Sequence, residues 1–110
     1  MNVIEYLKSK YGISTYILTN RLVSSVGTSV TKVIPNDPSR VGIVIVNTGD
    51  YPLYLSFDND VSVTKGIYVA PNGGNFVMNV NDDFTIVTWE LWGICDGGES
   101  DILTIETVII

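Results

Sequence analysis

The sequence predicts an all-β domain: an antiparallel β-sandwich of jelly-roll type, with about eight strands and a short N-terminal helix. Three observations carry this expectation. Val, Ile and Thr dominate the 110-residue chain, whereas Ala occurs once (Ala70) and Gln and His not at all, a balance that suits pleated sheet better than helix. From Thr28 onward, apolar runs alternate with turn chemistry every ~8–12 residues, the spacing of a sandwich or barrel. No helix-length periodic segment interrupts these runs, so the strands need no helical crossovers and can pair antiparallel.

The expected division is a helix and arm over residues 1–27, then the sandwich over residues 28–110. Asn2 and Glu5 have the spacing of a capping box, and Gly12 sits where a left-handed cap ends a helix, so a helix is predicted from Val3 to Tyr11. Its stripe of Val3, Leu7 and Tyr11, with Ile4 beside it, packs either on the chain's own sheet or on a neighbouring subunit. Residues 13–22 read as a weak strand.

Further strands are expected near 29–34, 41–47, 52–57, 66–70, 75–80, 84–88, 90–95 and 102–108. The punctuation between them is Pro35-Asn36-Asp37-Pro38, Asn47-Thr48-Gly49-Asp50, Asn72-Gly73-Gly74-Asn75, Asn81-Asp82-Asp83 and Asp96-Gly97-Gly98-Glu99. Side chains alternate along a strand, so Val41, Ile43 and Ile45 should point one way and Val44 and Val46 the other. Neither face of that strand suits water, and a second layer, from this chain or another molecule, is needed to cover it. The apolar tail from Ile102 to Ile110 is expected to pair in a sheet of its own subunit, with a neighbour's sheet as the alternative.

Composition excludes most chemistry. Without histidine there is no Ser-His-Asp or Cys-His nucleophile and no histidine-ligated zinc. The lone Cys95 forms no intrachain disulfide and reads as a small buried hydrophobe. Asp58, Asp60, Asp82, Asp83 and Glu90 are the carboxylates that glycoside chemistry could draw on, but the aspartates read as solvated turn residues and Glu90 as a paired or edge-facing acid. Asp58-Asn59-Asp60 offers oxygen ligands without the glycine and later glutamate of an EF-hand loop. No enzyme activity, catalytic residue, cofactor or metal is expected.

A net charge of −6 with scattered basic residues disfavours nucleic acid and anionic membranes as partners. No segment approaches the ~20 apolar residues of a membrane span, and Glu5, Lys8 and Lys10 interrupt the run a signal peptide would need, so a soluble chain made in a cytoplasm is expected. The aromatic residues remain as binders: Tyr51, Tyr54, Trp89 and Trp92 are the candidate interface residues. Three residues apart in one strand, Trp89 and Trp92 should face opposite ways, as should Tyr51 and Tyr54.

The run Val30 to Gly49, with Leu53 to Asp58, Gly66 to Gly74 and Glu90 to Cys95 following in order, resembles small structural proteins of tailed bacteriophages and related viruses. The resemblance spans residues 28–106 and rests on strand-and-turn chemistry rather than a catalytic signature. It implies a β-sandwich component of the virion, made in the host cytoplasm: a capsid decoration, minor capsid or tail protein. Its partners would be other virion proteins and copies of itself, with a trimer the favoured homo-oligomer. The alternative is a carbohydrate- or receptor-binding sandwich whose aromatic side chains line an exposed face.

Overall fold

The computed structural model describes residues 2–12 and 14–109, without the side chains of Ile4, Leu7 and Tyr11. Helix α1 (Val3–Tyr11) begins and ends at the expected residues. Asn2 Oδ1 accepts the Glu5 N–H at 2.9 Å, and Gly12 at φ 69° donates its N–H to the Lys8 carbonyl at 3.0 Å. Most of the stripe expected to pack on a sheet lies outside the described residues, and Val3, its described member, is exposed.

Nine strands follow among the described residues: β1 (Thr15–Thr19), β2 (Ser25–Val26), β3 (Thr31–Ile34), β4 (Arg40–Asn47), β5 (Leu53–Ser56), β6 (Ile67–Val69), β7 (Gly74–Asn79), β8 (Leu91–Cys95) and β9 (Ser100–Ile109). One sheet has the order β1-β9-β4-β7, with β2 also on β9; the other has the order β3-β8-β5-β6. With two-residue β2 set aside, the first strand pairs with the last, β3 with β8, β4 with β7 and β5 with β6. This nesting is a long antiparallel ribbon folded over on itself, and the β4–β9 and β5–β8 ladders close each half into a sheet. The fold is therefore a jelly-roll sandwich. Residues 15–26, expected as part of an arm, contribute β1 and β2 to the first sheet.

Between the sheets lie Val33, Ile34, Ile43, Ile45, Leu53, Leu55, Val69, Met78, Leu91 and Ile102, all buried, together with Cys95, whose thiol burial pushes up in pKa. Gly93 leaves room for the inward side chains of the strands on either side of it in its own sheet: a Cβ there would meet Val33 Cγ2 at 2.8 Å and Leu53 Cδ1 and Leu55 Cδ2 at 3.3 Å. The apolar tail pairs within its own subunit, since β9 runs between β1 and β4; Ile110 lies outside the described residues.

Two expectations are corrected. Residues 84–88, read as a strand, form a 3-10 helix (Phe84–Thr88) after the short helix α2 (Val80–Asp83). Asn79 Oδ1 caps this turn by accepting the Asp82 N–H at 2.9 Å, and Asn79 N–H donates to Asp83 Oδ2 at 2.9 Å, so local capping overrides the β-branched run Thr85-Ile86-Val87. Val41 does not share a face with Ile43, because the β4–β9 register shifts between Arg40 and Gly42 and this bulge turns Arg40 inward instead.

Two buried polar clusters tie the sandwich together at its ends. At one end Arg40 donates to the carbonyls of Val87, Pro35 and Trp89 at 2.7, 2.9 and 2.7 Å and pairs with Glu106 at 2.6 Å. Arg21 reaches Glu106 at 2.6 Å and Asp37 at 3.0 Å, so two cations meet two carboxylates. At the other end Asn47 donates to the Tyr51 and Val69 carbonyls at 2.7 and 3.2 Å and accepts the Ser100 hydroxyl at 2.6 Å.

Candidate functional site

The outward positions of the first sheet follow from the registers. Val44 lies between Val77 and Ile105, with Thr19 beyond; Val46 lies between Asn75 and Leu103; Gly42 lies between Asn79 and Thr107, with Ile17 beyond; Ile109 faces Thr15. None of these residues carries a charge; the exposed acid on the same side is Asp101, opposite Ser25 at the far end of β9. An antiparallel sandwich sheet ordinarily turns polar side chains to water, yet here Ile17 is 64% and Val77 54% exposed, with Val44, Val46, Leu103 and Ile105 half-buried.

This apolar face runs into a shallow cleft of about 390 Å³ lined by Val41, Ile109, Val80 and Phe84 among others. Phe84 is 74% exposed and holds φ 55°, a conformation that side chains disfavour.

The second sheet presents a different outer surface. Lys32, Trp92 and Ser56 form one cross-strand row, and Ile94, Tyr54 and Tyr68 the next, with the two tyrosine rings 5.6 Å apart. At the end of this face the segments after β3 and β5 and before β8 converge on a cleft of about 410 Å³, lined by Asn36, Phe57, Asp58, Asn59, Trp89, Glu90 and Trp92. Trp89 is 47% exposed and meets Phe57 edge-on at 5.7 Å. Trp92 donates its indole N–H to Glu90 Oε2 at 2.7 Å; Lys32 Nζ lies 3.6 Å from the same oxygen and 5.1 Å above the Trp92 ring.

The four residues singled out by sequence thus separate. Trp89 and Trp92 line the same cleft rather than opposite faces, because Trp89 precedes the extended strand, which starts at Leu91. Tyr54 stands on the outer face of β5, one row from Trp92. Tyr51 sits in the β4–β5 turn, where its ring covers Gly97 and Gly98. Glu90 is paired, as expected for a strand-edge acid, and Asp60 pairs with Lys65. Among the described residues no cluster of three or more His, Cys, Asp or Glu could hold a metal ion, and no helix is long and apolar enough to cross a membrane.

Sequence reading missed Phe57 and Asn36, which only the fold carries to Trp89. It also missed Glu106, although that residue shares the parity of Ile102 and Val108 in β9 and alternation alone assigns it to the core. No protein-family model matches the chain, and a search of curated proteins finds no similar sequence.

Proposed function

We propose that this chain is a non-enzymatic structural subunit of a virion, of the capsid-decoration, minor-capsid or tail type, that packs the outer face of its β1-β9-β4-β7 sheet against neighbouring subunits. The observation that carries this reading is the run of uncharged positions across that face from Ile17 on one edge strand to Val77 on the other, with Asp101 as the exposed acid at its β2 end. Fully burying a valine or isoleucine is worth roughly 1.5–3 kcal/mol. Half-buried ones return only part of that, whereas association costs about 4–15 kcal/mol. A face of several aliphatics, met by a similar face or repeated many times in a lattice, covers this cost; one isolated side chain does not. The strained, exposed Phe84 beside the face supports the same reading. The resemblance of residues 28–106 to small phage structural proteins supplies the setting, since a virion offers many identical copies.

Sedimentation velocity is the test. The wild-type protein should sediment as an oligomer or bind viral shells or tubes, and Val77→Lys, a change at an exposed edge-strand position, should abolish that association with the β-sheet circular dichroism unaltered. A strict monomer at high concentration that binds neither shells nor tubes overturns the reading.

A further inference from the structure

The aromatic cleft plays no part in the assembly reading, whose surface is on the opposite side of the sandwich. We propose that this cleft is a binding site for a neutral carbohydrate, with Trp89 as the stacking platform and Asp58, Glu90, Asn36 and Asn59 as the hydrogen-bonding rim.

Sugar recognition needs a flat aromatic surface for the apolar face of a pyranose and planar polar groups around it for the hydroxyls. Both are present in one concavity of about 410 Å³. Among the described residues nothing donates a hydrogen bond to the Asp58 carboxylate, the Asn36 and Asn59 amides make none, and Glu90 uses only Oε2. The rim therefore has free acceptors and donors facing the solvent.

The cleft is also pre-organised. Arg40, buried in the sandwich, grips the carbonyls of Pro35 and Trp89, the residues adjoining Asn36 and Glu90 in the chain. Asp37 N–H donates to the Thr88 carbonyl at 2.8 Å, which ties together the two segments that carry Asn36 and Trp89. Phe57 then fixes the Trp89 ring at 90°. A ligand meets a platform that is already ordered, so little entropy is lost on binding.

Charge selects the class of ligand. Asp58 and Glu90 stand on the rim, with Lys32 beside Glu90 and with Lys65, which also feels the charge of Asp58, already paired to Asp60; together with a net charge of −6 on the chain this disfavours phosphorylated, sulfated or sialylated sugars. A quaternary ammonium would need an aromatic cage, but the Trp92 ring already faces the Lys32 ammonium, and Trp89 and Phe57 make only two walls.

Isothermal titration calorimetry against neutral oligosaccharides of glucose, galactose, mannose and N-acetylhexosamines, with sialylated and sulfated glycans and tetramethylammonium alongside, tests the proposal. At least one neutral glycan should bind. Trp89→Ala, at an exposed position, should weaken that binding about tenfold or more, and Asp58→Asn several-fold. Val77→Lys, on the other side of the sandwich, should bind like the wild type, so the outcome stands apart from that of the assembly test. No neutral-sugar binding up to millimolar ligand, an affinity unchanged in Trp89→Ala, or binding confined to anionic glycans or the ammonium would overturn it.

Discussion

Arg40 Nη1 lies 2.6 Å from Glu106 Oε1, and neither side chain is reached by solvent. The pair joins β4 to β9 where the first sheet's register shifts, and through three carbonyls it also holds the segments on either side of the aromatic cleft. Its charges are balanced locally, since Arg21 and Asp37 complete two cations and two acids. Desolvating such ions is costly, so the pair is better understood as an organiser of loops than as a net source of stability.

Removing one partner leaves the other charge stranded. Glu106→Gln should lower unfolding free energy by about 3–5 kcal/mol, read from urea denaturation. Replacing both residues with apolar ones, Arg40→Met with Glu106→Leu, should recover only part of that loss, because the carbonyls of Pro35, Val87 and Trp89 lose their donor at ~1–3 kcal/mol for each one left buried. A double variant as stable as the wild type would show that those carbonyls do not depend on Arg40.

Asn47 satisfies both its donor and its acceptor inside the sandwich. Asn47→Ala should cost about 2–4 kcal/mol. Asn47→Asp should cost more, because it turns an acceptor toward the Tyr51 and Val69 carbonyls in place of a donor. Thermal unfolding of the two variants checks the order; an Asp variant more stable than the Ala variant contradicts the assigned amide orientation.

Partial burial raises the pKa of Asp37, but the Ser39 N–H, the Arg21 hydrogen bond and the charges of Arg21 and Arg40 more than offset this and hold it below the usual carboxylate range. A depressed folded-state pKa stabilises the fold fully above the unfolded value of about 3.9 and is lost as pH falls through the folded value. Asp37→Asn should therefore reduce stability at neutral pH by up to ~1 kcal/mol and narrow the gap to wild type as the pH drops below 4. Urea midpoints measured across that acid range give the comparison.

Several local signals are legible in the sequence. The limits of α1 follow from Asn2, Glu5 and Gly12, which act within one turn of the chain. The two-sided character of Val44 and Val46 against Ile43 and Ile45 follows from alternation and reappears as half-buried aliphatics on the outer face over a buried inner one. Thr85-Ile86-Val87 misled because β-branching is a weak preference, whereas the Asn79 cap adds specific hydrogen bonds that bend the chain. The Trp89–Trp92 reading failed because alternation holds only inside a strand, and Trp89 lies before its start.

Sequence by itself determined that this is a β-sandwich, roughly where most of its strands lie, which of its strands is greasy on both sides, and that histidine-based chemistry is absent, because each of these depends on composition or on neighbours a few residues apart. Only the tertiary structure decided that β1 meets β9, that Arg40 turns inward to Glu106, and that Asn36, Phe57 and Trp89 share one cleft. Those contacts join residues far apart in the chain, from Asn36 and Phe57 at the near extreme to Thr15 and Ile109 at the far one, and their partners are selected by how two sheets close over a common core rather than by any local preference.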